Sequence, residues 1–183
     1  MLPKIGCSRL GDNRKLGYRS TMFAFEPDQA ADPATRYAEL HTAARALVEG
    51  ESDAIANMAN VAALIWQYVP DLNWAGFYRL IGDELVLGPF IGKPACLRIA
   101  LGQGVCGAAA RIGRSQCVPD VHAFPGHIAC DAASRSELVV PVFDRSARVI
   151  AVLDLDSPLL ARFNDEDVSA IERMIADIAP ALS

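Results

Sequence analysis

Thiol and acidic residues that can support redox chemistry are concentrated between residues 96 and 137 of the chain. Cys130 lies in a polar stretch directly before Asp131, and Glu137 stands at the entrance of an apolar run. A reactive thiol needs access and local positive potential, and backbone N–H groups of a glycine- and alanine-rich turn can offset the charge of Asp131. A thiol oxidised to a sulfenic acid can then form a disulfide with a second cysteine that the fold brings close. This stretch therefore indicates a redox thiol near a carboxyl group.

Two further carboxyl groups, those of Asp154 and Asp156, alternate with Leu153 and Leu155 near the end of a predicted strand. Because successive side chains of a strand point to opposite sides, both carboxyl groups are expected on the same side. Two like charges at close range raise the pKa of at least one carboxyl group unless a cation lies between them. A ligand ammonium, a metal ion or an arginine would supply that cation. A solvated strand end is the alternative without a function.

A metal site is a second possibility for these residue types. His122, His127 and Cys130 can ligate zinc, with Cys96 or Cys106 as a fourth ligand, but their spacing matches no common zinc pattern. The five cysteines also contain no CxxC pair. We therefore predict no metal, and we interpret both histidines as packing or hydrogen-bonding groups of a loop.

Trp74 and Tyr78 lie four residues apart in a predicted strand and are therefore expected on one face. Core packing is the default role of such a pair, and a wall that holds a methyl or sulfur group is the functional alternative. Cys117 lies in another apparent strand and is interpreted as a small buried apolar residue.

The composition indicates a soluble globular protein in a reducing compartment. The chain has 183 residues and a net charge of −5, which gives no electrostatic reason to bind nucleic acid or anionic lipid. No apolar run approaches the roughly 18 residues of a membrane span. Five cysteines without a secretory signal favour free thiols, and we expect a cytoplasmic location.

The first 21 residues differ from the rest of the chain in charge, with five basic residues against the single acidic residue Asp12. An organellar transit peptide, a flexible basic arm and an upstream extension before a start at Met22 are the alternatives for this segment. We predict a flexible basic extension over residues 1–30, with Cys7 outside any site, and one domain over residues 31–183.

Helices are predicted at both ends of that domain. Asp32 followed by Pro33 indicates a helix start, Ser52 is the predicted cap of a second helix, and Asn164 is the predicted cap of the last one. The apolar residues recur at helical spacing. They are Ile55, Met58, Ala62, Ile65 and Trp66 in the second helix and Ile171, Met174, Ile175 and Ile178 in the last.

Strands, a short helix and a long irregular loop are predicted between these helices. The order describes an α+β domain in which a central antiparallel sheet carries the N- and C-terminal helices on one face. The predicted strands cover residues 74–80, 84–90, 96–100, 116–118, 138–143 and 149–155, the short helix covers 105–112, and the irregular loop covers 119–136.

Five stretches of the sequence form a distinctive combination. They are NWAGFYRL (73–80), LVLGPFIGKPAC (85–96), GQGVCG (102–107), DVHAFPGHIACDAASRSELVVPV (120–142) and VLDLDS (152–157). Together they resemble the free methionine-(R)-sulfoxide reductases, a family of GAF domains. The resemblance covers about residues 35–180 and is highly specific when the stretches are taken jointly. It implies a single GAF domain, which accounts for the mixed order of elements.

The resemblance implies that this protein reduces the free amino acid methionine (R)-sulfoxide, and not the residue within proteins. Cys130 then corresponds to the nucleophile and Cys96 to the resolving cysteine. Cys106 corresponds to the family's third cysteine, which can enter disulfide exchange. Thioredoxin is the implied reductant, and no metal, flavin or nicotinamide cofactor is required. A homodimer through the terminal helices is compatible with the GAF fold and is the expected assembly.

The same resemblance assigns the substrate pocket. Glu137, Asp154 and Asp156 correspond to its carboxylates, and Trp74 and Tyr78 to its aromatic residues. An acidic pair can hold the substrate ammonium, and a carboxyl group with a raised pKa can donate a proton to the sulfoxide oxygen. Glu137, set against an apolar strand, is the first candidate for that proton donor.

Two functions of other classes remain as alternatives. The first is a GAF sensor module that binds a small molecule and regulates a partner without catalysis. The second is a zinc-bound structural or regulatory protein. The pair Cys130-Asp131 departs from the Cys-His pattern associated with bilin attachment, and no cyclic-nucleotide signature is present.

Overall fold

The computed structural model describes residues 25–28, 30–126 and 132–183. Several sequence predictions lie outside the described residues. These are the basic extension up to residue 24, including Cys7 and Met22, and the loop residues His127, Cys130 and Asp131.

The described residues form four α-helices and six strands in a mixed order, as the sequence predicts. Two short 3-10 helices, Val121–Ala123 and Ala179–Ala181, complete the regular structure. The elements in chain order are α1 (Pro33–Val48), α2 (Ala54–Tyr68), β1 (Trp74–Ile81), β2 (Glu84–Gly92), β3 (Arg98–Ala100), α3 (Gly104–Ile112), β4 (Gln116–Val118), β5 (Ser136–Phe143), β6 (Val149–Ser157) and α4 (Asp165–Ile178).

Side-chain caps begin three of the helices. Asp32 caps α1, and Asn164 caps α4 in a reciprocal capping box with Asp167, so both predicted starts are confirmed. The predicted cap of α2 is wrong by one residue. Asp53, and not Ser52, accepts the hydrogen bond from the backbone N–H of Ala56, and a carboxylate there also complements the positive end of the helix dipole.

All six strands form one antiparallel sheet in the order β3-β2-β1-β6-β5-β4. The hairpins β1–β2 and β5–β6 each pair consecutive strands, and β1 lies beside β6 at the centre. The two long hairpins therefore bring residues about 80 positions apart in sequence into direct register, such as Trp74 opposite Asp156.

The two faces of this sheet carry different layers. Phe77, Leu138 and Leu153 point to one face, where they pack with α1, α2 and α4 in the larger core. Val139 and Val152 point to the other face, where α3 contributes to a smaller core. The predicted placement of the N- and C-terminal helices on one face is thus confirmed, and α3 covers the opposite face.

Most of the predicted helix faces are buried. Ile171, Met174, Ile175 and Ile178 of α4 lie in the larger core, as predicted. In α2, Met58, Ala62 and Ile65 are buried, but Ile55 and Trp66 are 42% and 37% exposed. The predicted apolar face of α2 includes both residues, but they lie at the edge of its buried face, which is centred on Val61 and Ile65.

None of the helices among the described residues combines the length and the apolar character that crossing a bilayer requires.

Candidate active site

The register of β1, β6 and β5 places the predicted pocket residues side by side. Asp156 lies opposite Trp74 on one side and opposite Glu137 on the other. Asp154 lies one pleat further along, opposite Gly76 and Val139. Since side chains of paired residues share a face, Trp74, Glu137 and both aspartates belong to the face covered by α3. The predicted common side of Asp154 and Asp156 is confirmed.

Cys106 of α3 meets two of these carboxyl groups in the interior. Its Sγ lies 3.9 Å from Oε1 of Glu137. Ligand atoms of Cys106, Glu137 and Asp154 all lie within 4.8 Å of one another, and the three residues are 4%, 6% and 6% exposed. The fold therefore assembles one thiol and two carboxyl groups from a helix and two strands in a nearly dry site.

Burial determines the protonation of this group. It raises the pKa of Glu137 well above its ordinary value, and the charges of Asp154 and Asp156 raise it further. Burial likewise raises the pKa of Asp154, although hydrogen bonds with Cys106 and Glu137 oppose that shift. Glu137 can therefore hold a proton at neutral pH, where an exposed glutamate is ionised.

The thiol of Cys106 is affected in the same direction. Burial raises its pKa well above the ordinary value, and the nearby charges of Asp154 and Glu137 add to that increase. Because the thiolate is the nucleophilic form, a raised pKa makes Cys106 a poor nucleophile in the reduced protein.

Aromatic rings form a wall next to the carboxyl groups. Trp74 stacks on Tyr78 with ring centroids 5.8 Å apart and on Phe90 with centroids 5.3 Å apart. The predicted shared face of Trp74 and Tyr78 is thus confirmed, and Gly76 between them leaves room for the stack. A Cβ at Gly76 would lie 2.7 Å from the Trp74 ring and would also collide with Phe90.

A loop between β2 and β3 covers this wall. The indole N–H of Trp74 donates to the carbonyl of Lys93 at 3.1 Å, which ties the loop to the ring. A cavity of about 10 Å³ remains beneath the loop, roughly the space of one water molecule. It is lined by Trp74, Tyr78, Lys93, Pro94, Ala95, Asp154 and Asp156. The cavity suits one small polar end of a ligand.

Cys96 belongs to the same loop. Its side chain is half-buried and packs against the smaller core beside the aromatic wall. Leu97, the next residue, is 73% exposed. The loop thus turns a thiol toward the pocket side and an apolar side chain toward solvent.

Cys117 is separated from this site by the sheet. It pairs with Leu138, which faces the larger core, and its Sγ lies 3.5 Å from the carbonyl oxygen of Phe163. Its predicted burial is wrong, because β4 is an edge strand and leaves Cys117 exposed. Neither feature places it near Glu137.

The prediction that the histidines are packing or hydrogen-bonding groups of a loop is confirmed for His122, which the structure describes. His122 Nδ1 lies 3.2 Å from Oδ1 of Asp120 in an exposed turn. Within the described ranges, the cysteine, histidine and acidic ligand atoms close enough to share one ion are those of Cys106, Glu137 and Asp154. His122 is not among them, and the other two residues of the zinc set considered from sequence, His127 and Cys130, lie outside the described residues.

Comparison with known proteins identifies the family to which this chain belongs. Residues 55–183 match the GAF domain, from the start of α2 to the end of the chain. The free methionine-R-sulfoxide reductase of Escherichia coli is 48% identical over 147 residues, which cover 80% of this chain and 88% of that protein. The enzyme of the same name from Saccharomyces cerevisiae is 41% identical over 135 residues, covering 70% of this chain and 75% of that one.

The chain belongs to the free methionine-R-sulfoxide reductase family of GAF domains. Among solved structures, the free methionine-R-sulfoxide reductase from Neisseria meningitidis in complex with its substrate superimposes with a TM-score of 0.83. The two sequences are 41% identical, and the match covers 88% of this chain and 96% of the other. The predicted single α+β GAF domain is therefore confirmed.

Several pocket residues of this reductase-family chain were not identified from the sequence. Phe90 extends the aromatic wall, and Lys93, Pro94 and Ala95 line the cavity. All four lie within the stretch LVLGPFIGKPAC, which carries the family resemblance, but no residue type or spacing in that stretch indicates which side chains turn inward. The fixed loop geometry, and above all the bond from Trp74 to Lys93, decides it.

Proposed function

We propose that this protein reduces free methionine (R)-sulfoxide to methionine, with thiols as the source of electrons. The observation that carries the proposal is the row Trp74–Asp156–Glu137 across three strands, with Asp154 beside it. This row combines an aromatic wall, a carboxyl pair and a buried carboxyl group with a raised pKa on neighbouring strands. Membership of the reductase family supports assigning that combination to a sulfoxide.

The acidic pair provides the proposed site for the substrate ammonium. Oδ1 of Asp154 is buried and accepts no hydrogen bond, and a buried carboxylate oxygen without a partner is costly. A substrate ammonium beside Asp154 and Asp156 would supply both the missing donor and the neutralising charge. The Trp74 and Tyr78 rings then lie where they can contact the methyl and sulfur groups.

Glu137 is the proposed acid. As electrons move toward the sulfoxide oxygen, that oxygen needs a proton, and a buried carboxyl group that remains protonated near neutral pH can donate it. Its position opposite Asp156 supports this role, because the ammonium end and the proton donor then lie on neighbouring strands.

Cys130 is the proposed nucleophile, although it lies outside the described residues. Its thiolate attacks the sulfoxide sulfur, methionine leaves, and the oxygen with one added proton remains on Cys130 as a sulfenic acid. The Cys96 thiol then attacks that sulfur, which forms a disulfide and releases water. Cys106 can enter disulfide exchange later, and its buried thiol supports giving the first resolving step to Cys96.

A dithiol protein of the thioredoxin class is the proposed reductant, and two thiols of that partner balance the two electrons consumed per turnover. Such recycling suits a reducing compartment, and we place the protein in the cytoplasm on that ground. The proposed assembly is a homodimer through the terminal helices. Light scattering would measure its molar mass in solution.

The decisive experiment incubates the purified protein with either epimer of free methionine sulfoxide and dithiothreitol, and then measures methionine. We expect methionine from the R epimer and little from the S epimer. A protein that binds the R epimer tightly without producing methionine would instead be a GAF sensor module. Cys130→Ser should abolish turnover, and Cys96→Ser should accumulate a sulfenic acid that a dimedone probe traps. Full turnover by Cys130→Ser would refute the assigned nucleophile.

A further inference from the structure

The loop that carries Cys96 presents an apolar side chain to solvent at a fixed position. Leu97 is 73% exposed, the highest value among the large apolar residues exposed in the described part of the chain. Its backbone is not loose, since its carbonyl accepts a hydrogen bond from the N–H of Leu87 at 3.0 Å. That bond extends the β2–β3 pairing and holds the Leu97 side chain outward.

Cys96 is half-buried in the same loop, directly after the cavity-lining residues Lys93, Pro94 and Ala95. Cys106 is 4% exposed and lies behind Glu137. Cys117 is exposed but faces the side of the sheet that carries α1, α2 and α4, away from the site. A protein that exchanges thiols with this site therefore has Cys96 as its accessible contact among these three, and Leu97 is the exposed apolar side chain next to that contact.

We propose that Leu97 is a docking residue for a dithiol reductant of the thioredoxin class, which attacks the oxidised site at Cys96. This inference rests on the proposed function. To form a sulfur–sulfur bond, the partner must bring its reactive thiolate into contact with Cys96, so its surface removes the adjoining side chain from water. Burial of an exposed leucine favours that association. A small-molecule dithiol needs no such surface and gains nothing from it.

The partner reduces the disulfide of the enzyme in two thiol–disulfide exchange steps. A partner thiolate attacks Cys96 of the Cys96–Cys130 disulfide, forms a mixed disulfide with Cys96 and releases Cys130 as a thiolate. The second partner thiolate then attacks the partner sulfur of that mixed disulfide and releases Cys96 as a thiolate. The partner leaves with its own disulfide, and the two electrons it has lost are those that reduced the enzyme.

The first test compares Leu97→Ser with Ile55→Ser, a matched exposed apolar residue on α2 across the sheet, which is 42% exposed. Turnover of methionine (R)-sulfoxide is measured with dithiothreitol, and separately with thioredoxin, its reductase and NADPH at varied thioredoxin concentration. We expect Leu97→Ser to raise the KM for thioredoxin by about tenfold. Its turnover with dithiothreitol should equal that of the wild type, and Ile55→Ser should change neither value.

Each outcome has one consequence. An unchanged KM for thioredoxin in Leu97→Ser overturns the docking role. An equal loss of turnover with dithiothreitol and with thioredoxin also overturns it, because Leu97 would then act on the pocket itself. Absence of methionine from the wild type with dithiothreitol refutes the proposed function instead, so the two failures are distinguishable.

A second measurement uses the unmodified chain. Oxidised protein is mixed with a thioredoxin whose second active-site cysteine is serine, so that the mixed disulfide cannot resolve, and the product is mapped by mass spectrometry. We expect the partner on the peptide containing Cys96. A mixed disulfide on Cys130 or Cys106 overturns the assigned point of attack.

Discussion

The chemistry of single residues here follows from where the fold places each ionisable group. Glu137 and Cys106 are ordinary residue types, and both have raised pKa values because they are buried beside other acidic groups. The same burial acts in opposite ways on their proposed roles. It keeps a proton on the acid, which favours proton donation, and it keeps a proton on the thiol, which disfavours attack.

Replacement of Glu137 by glutamine should reduce turnover strongly, because the amide cannot transfer a proton to the sulfoxide oxygen. General acid catalysis contributes about 10²- to 10⁴-fold, and we expect a loss of kcat in that range with little change in KM. Wild-type turnover should also fall as the pH rises through the raised pKa of Glu137. Methionine formation with dithiothreitol measures both effects. Glu166→Gln, at an exposed glutamate of α4, is the control and should retain full activity.

The same substitution should stabilise the folded protein at alkaline pH. The pKa of Glu137 is raised in the folded state, so between its unfolded and folded values the folded protein binds a proton that the unfolded chain has lost. The free energy of unfolding therefore falls as the pH rises through that window. Glutamine does not ionise, so Glu137→Gln should be more stable than the wild type at pH 8.

Urea unfolding at pH 5 and pH 8 measures this difference. The two proteins should differ less at pH 5, where Glu137 is protonated for a larger share of unfolded molecules. A glutamine variant that is less stable than the wild type at pH 8 would contradict a protonated, buried Glu137.

Among the elements, α4 depends most visibly on its first turn. Asn164 accepts hydrogen bonds from the backbone N–H groups of Glu166 and Asp167, and the side chain of Asp167 accepts from the backbone N–H of Asn164. Asp167 is itself buried and also accepts hydrogen bonds from Tyr37 and Arg162. The cap therefore joins α4 to α1 and to the turn after β6.

Asn164→Ala should destabilise the protein by about 1 to 2 kcal/mol, because the loss of a side-chain cap leaves donors of the first turn without partners. The midpoint of urea unfolding measures the change. Asn164→Ser is the matched control, since serine keeps a capping oxygen, and it should lose less than half of that stability. Equal losses in the two variants would show that the cap itself contributes nothing.

The alternation of strands explains which cysteines meet the site. Cys117 of β4 pairs with Leu138 of β5, and the next pair in the register is Val118–Glu137. Because one step along a strand reverses the face, Cys117 points away from the carboxyl groups although Val118 lies directly beside Glu137. Cys106 reaches them from α3 instead.

At the scale of the whole molecule, one sheet serves two layers. The larger core lies between the sheet and α1, α2 and α4, and the site lies on the opposite face under α3 and the β2–β3 loop. Adjacent residues of β6 contribute to both sides, with Leu153 in the larger core and Val152 and Asp154 on the site face. The site therefore depends on the larger core through the shared strands.

Leu153→Ala should destabilise both layers together. Leu153 is fully buried, and removal of a buried leucine side chain costs about 2 to 5 kcal/mol. The two tryptophans report on opposite faces, Trp66 on α2 and Trp74 in the site. Each tryptophan becomes the single reporter when the other is replaced, in Trp66→Phe or in Trp74→Phe. Unfolding in urea is followed by fluorescence of both variants, with and without Leu153→Ala. Leu153→Ala should shift the urea midpoint by the same amount with either reporter. A shift confined to Trp66 would show that the two layers unfold separately.

The sequence alone determined the elements and the pattern of residues within them. Local rules sufficed for the caps at Asp32 and Asn164 and for the common side of Asp154 and Asp156, because each depends on neighbours in the chain. The motifs also determined the family. Local rules failed for Ser52, for the burial of Cys117 and for Ile55 and Trp66, because neighbouring elements decide which edge of a helix or strand is covered.

Only the tertiary structure decided how the site is assembled. The meeting of Cys106 with Glu137 and Asp154, the tie from Trp74 to Lys93 and the outward position of Leu97 join residues from separate elements. No spacing in the sequence encodes those distances. They arise because the register of β1, β5 and β6 and the placement of α3 are set by long-range packing, which also removes water from the carboxyl groups and so shifts their protonation.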